Sequence, residues 1–274
     1  MDQTVRFRWL GVAGIELRVN EQVLAFDPFL SRPPFHRLWF GRVRANTTLV
    51  ERTISQCDVI LVTHAHHDHL MDVPDIIRQT GAIAFGSSNT CQLLAILGVP
   101  GEHFYEIKVG DQFTLGQFHI EVLPSEHLKV PGFASGPLSP ELRPPLRIRD
   151  YRMDTCFSFL VQIGDQRWLN WSSIRSEPAL PANVLWVTSR ADAAYYEALL
   201  AVVQPRLILP IHWDDLFRPL SKSVRPYWKP PRLGFPPLER ENLADFRHII
   251  KQITPEAKVF IPEIFRLYDL NDVL

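Results

Sequence analysis

The sequence is poor in cysteine, with only Cys57, Cys91 and Cys156 among its 274 residues. These three lie far apart, and none of them forms a CxxC pair. This spacing argues against a disulfide framework and against a zinc–thiolate cluster. We therefore expect buried structural thiols, the usual state of a free cysteine.

Long apolar runs and an excess of one charge are also missing. No stretch approaches the roughly 20 apolar residues that a helix needs to cross a bilayer. The first six residues, Met-Asp-Gln-Thr-Val-Arg, lack the pattern of a secretory signal. These features favour a cytoplasmic protein. The formal net charge of −1 gives no overall attraction for nucleic acid, so we expect no nucleic-acid partner, and the sequence leaves the oligomeric state open.

The apolar pattern indicates a layered α/β protein. Apolar residues make up 46% of the chain and charged residues 22%, which is typical of globular proteins. The pattern predicts strands at 22–26, 57–62, 82–85, 104–109, 112–115, 117–123, 156–163, 167–171, 184–188, 207–210 and 258–261, with a strand pair in 5–19. It predicts helices at 49–56, 73–79, 89–97, 193–203 and 243–253. Strands that alternate with helices favour stacked sheet and helix layers.

No repeat and no glycine- or serine-rich linker divides the chain, so we expect one domain over residues 1–274. Two proline-rich segments interrupt the regular pattern, near residues 31–44 and 128–150. The first has no clear period, and the prolines of the second are too many for a helix or an interior strand. We interpret both segments as loop insertions into the domain.

The densest group of metal-binding side chains follows the apolar run 57–62. Residues 63–70 read Thr-His-Ala-His-His-Asp-His-Leu and contain four of the ten histidines. Residues two apart in extended backbone point to the same side, so His64 and His66 can hold one ion. A turn after them would present Asp68 and His69 to an adjacent ion. Imidazole and carboxylate ligands suit Zn²⁺, with Mn²⁺ or Fe²⁺ as alternatives.

The residues His64, His66, Asp68 and His69 resemble the HxHxDH signature of the metallo-β-lactamase superfamily, and the order of the flanking elements extends the resemblance to nearly the whole chain. The resemblance implies an α/β fold, a four-layer αββα sandwich. It also implies that His127 completes the first metal site with His64 and His66. His212 would then complete the second site with Asp68 and His69.

Asp27 follows the predicted strand 22–26 and precedes Pro28. It is similar to the aspartate of this family that orients a ligand histidine from behind. The alternative is an ordinary turn at the end of a strand, because Asp-Pro is a common turn pair.

The chain departs from the family pattern at one ligand. The family normally has an aspartate after the hairpin, where it bridges two metals, and Ser173 stands at that position here. Three consequences stay open. The site holds one tight ion and a weaker second one, or another carboxylate such as Glu126, Asp214 or Asp215 substitutes, or the fold has lost its activity.

The resemblance implies a metal-dependent hydrolase. A metal-bound water with a pKa lowered to about 7 would supply hydroxide for attack on an ester, lactone or phosphodiester. Asp68 would be the catalytic residue that orients this nucleophile and takes up its proton. Residues 9–14 (WLGVAG) and the Asp27-Pro28 pair look most like the branch with ascorbate-phosphate lactonases and N-acylphosphatidylethanolamine phospholipase D-like enzymes. The alternative is a non-catalytic metal-binding protein, because Ser173 replaces an expected ligand.

The two insertions suggest a class of small-molecule substrate. Residues 33–40 are apolar and aromatic, and the second insertion carries Arg143, Arg147, Arg149 and, just beyond it, Arg152. An apolar wall with arginines would suit an amphipathic or anionic molecule. The alternative is that the aromatic rings pack on the core and the arginines are solvated.

Overall fold

The structure is a computed structural model that describes residues 4–128, 132–189, 192–229 and 239–274. Residues 129–131 of the second predicted insertion lie outside these ranges. The strands are β1 Val5–Gly11, β2 Gly14–Val19, β3 Gln22–Phe26, β4 Val59–Leu61, β5 Ile83–Gly86, β6 Phe104–Glu106, β7 Gln112–Leu115, β8 Phe118–Pro124, β9 Phe157–Ile163, β10 Gln166–Trp171, β11 Val184–Thr188, β12 Leu207–Ile211, β13 Lys258–Val259 and β14 Tyr268–Asp269. The α-helices are α1 Thr47–Thr53, α2 His67–Leu70, α3 Val73–Thr80, α4 Ser88–Ile96, α5 Ala193–Val203, α6 Leu243–Ile253 and α7 Leu270–Val273.

The strands form two seven-stranded sheets. The first has the order β14-β1-β2-β3-β4-β5-β6, and the second has the order β13-β12-β11-β10-β9-β8-β7. Each sheet is mixed. Strands β3 to β6 pair in parallel in the first sheet, as do β10 to β13 in the second, and the remaining pairs are antiparallel.

Side-chain alternation along the strands separates three apolar layers. Leu61 of β4 packs in a core with Phe159 and Trp186 of the second sheet, whereas its neighbour Ile60 packs with residues of α1, α3 and α4 on the other side. Leu185 of β11 likewise faces α5 and α6. Successive residues of a strand point to opposite faces, so each sheet is covered by helices outside and by the other sheet inside. The predicted αββα sandwich is confirmed.

The first insertion is fixed to the core at two points. It contains one turn of 3-10 helix, Phe35–Leu38, and the side chains of Leu38 and Val43 are buried. The backbone N–H of Val43 donates to the Leu146 carbonyl at 2.7 Å. The two predicted insertions therefore contact each other and form one surface. Among the described residues, no helix has the length and apolarity needed to span a bilayer.

The candidate site residues follow the carboxyl ends of strands in both sheets. Asp27 follows β3, the His64 motif follows β4, His127 follows β8, Ser173 follows β10 and His212 follows β12. These strands run in the same direction within each sheet, so their carboxyl ends share one edge. This arrangement explains why distant segments of the sequence meet at one place.

Candidate metal centre

Three histidines converge at the edge shared by the two sheets. One ring nitrogen from each of His64, His66 and His127 lies within 4.8 Å of the others. The ring centroids of His64 are 4.6 Å from those of both His66 and His127. Separations of this size allow three nitrogens to coordinate one ion at the usual distance of about 2 Å.

Hydrogen bonds select which nitrogens of His64 and His66 face the centre. His64 Nδ1 lies 3.0 Å from Thr63 Oγ1, and His66 Nε2 lies 3.1 Å from the Ala134 carbonyl. The other nitrogens, His64 Nε2 and His66 Nδ1, are buried and meet no hydrogen-bond partner in the described ranges. Burial lowers the pKa of His64 and lowers that of His66 to about 3. Both rings are therefore neutral at pH 7 and offer a lone pair to a cation.

Asp27 fixes the orientation of His69. Asp27 Oδ2 lies 3.0 Å from His69 Nδ1 and accepts a hydrogen bond from the Thr63 hydroxyl at 2.7 Å. Its Oδ1 accepts from the Thr63 backbone N–H, also at 2.7 Å. Such a carboxylate holds the ring proton on Nδ1 and leaves Nε2 as the ligand atom. His69 Nε2 is indeed buried and has no hydrogen-bond partner within the described part of the chain.

Asp68 and His212 lie beside His69. Asp68 Oδ2 is 3.6 Å from His69 Nε2, and the rings of His69 and His212 are 5.3 Å apart. Burial by itself would raise the pKa of Asp68, but the neighbouring His69, His67 and His212 rings hold that pKa below its usual value. Asp68 is therefore an anion at neutral pH.

This donor set fits a divalent cation. Four buried atoms, His64 Nε2, His66 Nδ1, His69 Nε2 and Asp68 Oδ1, have no hydrogen-bond partner in the described residues. Orphaned polar atoms are costly inside a protein, and bound metal, as one ion or two, would give them partners. Nitrogen and oxygen ligands are compatible with Zn²⁺, Mn²⁺ and Fe²⁺ alike, so the ligands do not single out one metal.

Ser173 lines the cavity beside these groups, and its side chain has partners of its own. Its Oγ accepts hydrogen bonds from the backbone N–H groups of Glu126 and Arg175, both at 3.1 Å. The Tyr195 hydroxyl donates to the Ser173 carbonyl at 2.7 Å. Ser173 therefore ties the turn after β10 to the segment that carries His127.

The three carboxylates considered as substitutes are engaged elsewhere. Glu126 pairs with Arg175, and Asp215 lies 3.8 Å from Arg225. Asp214 forms a buried ion pair with Arg32 at 2.6 Å. None of the three is among the described residues that line the cavity.

A cavity of about 350 Å³ opens over the histidines. Its described lining is His64, Asp68, His127, Leu128, Phe133, Ser172, Ser173, Ile174, Thr188, Asp192, Tyr195, His212 and Leu216. The lining combines apolar side chains with hydroxyl, carboxylate and imidazole groups, as is common in small-molecule sites. The arginines considered for the pocket, Arg143, Arg147, Arg149 and Arg152, are not among these lining residues.

Three contributors to the site were not predicted from the sequence. Thr63 links Asp27 to both His64 and His69. The Ala134 carbonyl orients His66, and Arg32 forms an ion pair with Asp214. The hydroxyl of Thr63, next to the first histidine, is the only one of these with a signal in the sequence. A carbonyl group has no signature, and the pairing of Arg32 with Asp214 depends on tertiary structure.

The chain is similar to known proteins of one superfamily. The family model described as a beta-lactamase superfamily domain matches residues 23–169. A UPF0173 metal-dependent hydrolase of Polynucleobacter asymbioticus is 26% identical, with 79% of this chain and 76% of that protein covered. One from Caldivirga maquilingensis is 23% identical, with 93% of each covered.

Solved structures show the same fold. Igni18, a metallo hydrolase from Ignicoccus hospitalis, superposes with a TM-score of 0.63 at 16% identity, over 97% of this chain and 98% of that one. YhfI from Bacillus subtilis, a metallo-beta-lactamase fold protein, gives 0.59 at 12% identity, over 98% and 100%. The family model spans more than half of the chain and includes the histidine motif. The chain belongs to the metallo-β-lactamase superfamily.

Proposed function

We propose that this protein is a metal-dependent hydrolase of esters, lactones or phosphodiesters. The observation that carries the proposal is the cluster of buried nitrogen and oxygen atoms without hydrogen-bond partners in the described residues, beside a cavity that His64 and Asp68 line. The relatives from Polynucleobacter and Caldivirga are described as metal-dependent hydrolases, which supports this class without naming a substrate.

His64, His66 and His127 would hold the first ion, and Asp68, His69 and His212 would hold or organise a second. A divalent ion at this place acts as a Lewis acid and lowers the pKa of water toward neutrality. Zn²⁺ is the metal we propose, with Mn²⁺ and Fe²⁺ as the other candidates. Whether one ion or two are bound depends on how well the site tolerates Ser173.

Asp68 has the properties of a proton acceptor for the attacking water. It lines the cavity, and nearby histidines favour its ionised form. Its Oδ1 lies 3.5 Å from His67 Nδ1 but is buried without a hydrogen-bond partner in the described residues. A carboxylate that accepts a proton during attack contributes about 10²–10⁴-fold to such reactions. Asp68 would also hold the water in line with the reacting centre of the substrate.

The cavity wall would orient the substrate. Leu128, Phe133, Ile174 and Leu216 form its apolar part, and Asp192 and the hydroxyl-bearing residues form its polar part. An amphipathic substrate would place its apolar group against the first part, and its scissile bond would then lie over the histidines. This arrangement favours small molecules as substrates.

A non-catalytic metal-binding protein is the second candidate, and the observation that favours it is Ser173. A neutral hydroxyl that already accepts two backbone hydrogen bonds does not offset cationic charge as a carboxylate would. This candidate predicts bound metal and no turnover.

One experiment separates the two candidates. The purified chain is stripped of metal, reloaded with Zn²⁺ or Mn²⁺, analysed for metal content and assayed on a panel of esters, lactones and phosphodiesters. We expect metal-dependent turnover that falls about 10²–10⁴-fold in Asp68→Asn and is lost in His66→Ala. His119→Ala is the control, because His119 is an exposed residue of β8 outside the cavity. Bound metal without turnover would favour the non-catalytic candidate.

A further inference from the structure

The first insertion exposes three large aromatic side chains. Phe35, Trp39 and Phe40 are 56%, 53% and 71% exposed, while Leu38 and Val43 between and beside them are buried. We call these three residues the aromatic knob. A group of large exposed apolar side chains on a segment anchored to the core marks an interaction surface.

The aromatic knob is preformed. The rings of Phe35 and Trp39 pack edge to face, with centroids 4.9 Å apart at 86°. Phe35 packs in the same way on Phe217, at 5.1 Å and 82°. The backbone N–H groups of Trp39 and Phe40 both donate to the His36 carbonyl, at 3.3 and 3.0 Å. A surface already ordered in this way loses little conformational entropy when it binds.

Positive charge is concentrated in the segment that carries the aromatic knob and in the segment joined to it. Residues 31–44 contain four arginines and no acid, and residues 132–152 contain four arginines and two acids. The two segments are joined where Arg42 Nη1 donates to the Arg143 carbonyl at 3.0 Å. We call the arginines of these two segments that are not buried the arginine rim, and its members are Arg37, Arg42, Arg44, Arg143, Arg147, Arg149 and Arg152. The chain as a whole carries −1, so this charge is local.

We propose that the aromatic knob and the arginine rim dock the protein on the surface of an anionic lipid bilayer. Tryptophan and phenylalanine partition into the boundary between head groups and acyl chains. Arginines beside them are attracted by anionic head groups. The exposed rings suit the apolar part of this boundary, and the arginine rim suits the negative charge of the anionic head groups.

The arrangement of the rings and charges disfavours two other partners. In a two-fold dimer built on this face, the arginine rim would meet a second arginine rim, and like charges across an interface repel. Single-stranded nucleic acid stacks its bases on open aromatic faces, but Phe35 packs edge to face with both Trp39 and Phe217.

The aromatic knob continues to the candidate active site. Phe217 contacts Phe35 and is adjacent in sequence to Leu216, which lines the cavity. Leu128 and Ile174, also in the lining, are 48% and 44% exposed. Docking would therefore bring the cavity mouth near the lipid surface, where an amphipathic substrate would be concentrated. This consequence rests on the proposed function, whereas docking itself requires no turnover.

Vesicle flotation of the full-length chain tests docking directly. The vesicles contain phosphatidylcholine alone or a 7:3 mixture of phosphatidylcholine and phosphatidylglycerol, and binding is measured at low and high salt. We expect the chain to bind the anionic vesicles about tenfold more tightly than vesicles of phosphatidylcholine alone, because only anionic head groups attract the arginines. High salt should also weaken binding, since it screens exposed charges.

Substitutions divide the apolar and the charged contributions. Trp39→Ala combined with Phe40→Ala should weaken binding at least tenfold, because two aromatic side chains no longer insert. Arg44→Gln with Arg149→Gln should weaken it only on anionic vesicles. Tyr105→Ala is the matched control, because Tyr105 is 51% exposed on the edge strand β6 and should not change binding. None of these positions belongs to the metal-site group of His64, His66 and His127, so His66→Ala should bind vesicles as the wild type does.

Tryptophan fluorescence provides a second readout. Trp39 and Trp228 are the exposed tryptophans of the described chain, at 53% and 48%. Anionic vesicles should shift the emission to shorter wavelength, and Trp39→Phe should abolish this shift while binding persists.

Three outcomes would overturn the proposal. The first is failure of the wild type to float with anionic vesicles. The second is equal binding by the wild type and the Trp39→Ala, Phe40→Ala protein. The third is concentration-dependent dimerisation or oligonucleotide binding that depends on the aromatic knob, in a protein that does not bind vesicles.

Discussion

Arg32 Nη2 lies 2.6 Å from Asp214 Oδ2, and both side chains are almost completely buried. The other carboxylate oxygen, Asp214 Oδ1, accepts the Val12 backbone N–H at 3.0 Å. The carbonyl of Val12 in turn accepts the His212 backbone N–H, also at 3.0 Å. A residue of the first insertion is thus linked through one ion pair to the backbone that carries a candidate metal ligand.

The two halves of this ion pair should differ in their contribution to stability. Asp214→Asn leaves a buried guanidinium without a counter-charge, and we expect a loss of about 3–5 kcal/mol in the free energy of unfolding. Arg32→Met should cost less, because burial raises the pKa of Asp214 and its carboxyl group can then take up a proton.

Urea denaturation of the metal-free proteins measures both losses. Arg266→Met is the control, since the pair of Arg266 and Glu263 is 60% and 72% exposed and should contribute less than about 1 kcal/mol. Equal losses in the two core variants would contradict this account.

Asp27→Asn should weaken metal binding through the tautomer of His69. The amide would present an N–H group to His69 Nδ1, so the ring proton would move to Nε2 and block the ligand atom. We expect affinity to fall about 10–100-fold, measured by competition with a chromogenic chelator.

Asp58→Asn is the matched control for Asp27→Asn. Asp58 accepts a hydrogen bond from the Val23 backbone N–H at 2.7 Å, in the same sheet but away from the histidines. Unchanged affinity in Asp27→Asn would show that Asp27 only forms a turn.

Stability should depend on pH through Asp72. This side chain is fully buried, it accepts the backbone N–H groups of Leu30 and Ser31, and burial raises its pKa from 3.8 to about 6. The folded state therefore keeps the proton where the unfolded state has lost it. The stabilising contribution is complete below 3.8 and is lost as pH rises through about 6.

Asp72→Asn removes this titration. Between about pH 4 and pH 7, the unfolding free energy of the wild type should fall relative to that of the variant, by at most about 3 kcal/mol. A constant difference between Asp72→Asn and the wild type would contradict the assignment.

Ser173→Asp should change the number of metal ions held by the chain. We expect about one tight equivalent in the wild type, because a second cation would lack a bridging carboxylate to offset its charge. The aspartate should add a second equivalent in metal analysis after dialysis. Ser173→Asn has similar size without the charge and should resemble the wild type. Two tight equivalents in the wild type would mean that other groups replace the carboxylate.

The strongly patterned elements could be predicted from the sequence. Strands Gln22–Phe26, Gln112–Leu115 and Val184–Thr188 and helices Ala193–Val203 and Leu243–Ile253 have the predicted bounds, because their apolar periodicity reflects the faces they bury. The strand predicted at 104–109 stops at Glu106, since only its first residues pair with β5. The two-residue strand Tyr268–Asp269 was not predicted, because so short a segment has no period.

The candidate ligands could be predicted, but their surroundings could not. His64, His66, Asp68 and His69 are adjacent in the sequence, so one motif reveals them, and His127 and His212 follow from the resemblance. Their role as ligands stays a prediction, as does the extent of the single domain. The position of Ser173 shows why sequence alone leaves the metal count open. What replaces a missing carboxylate depends on the tertiary partners of Glu126, Asp214 and Asp215, which no local pattern encodes.

The candidate ligands come from the strand ends of both sheets, and this has a consequence for folding. His64 and His66 come from the first sheet, whereas His127 and His212 come from the second. Neither sheet alone can present the complete set of candidate ligands, so a bound ion would indicate that both sheets have folded and packed together. Such an ion would stabilise the native state over the unfolded chain by mass action, and separation of the two sheets would release it.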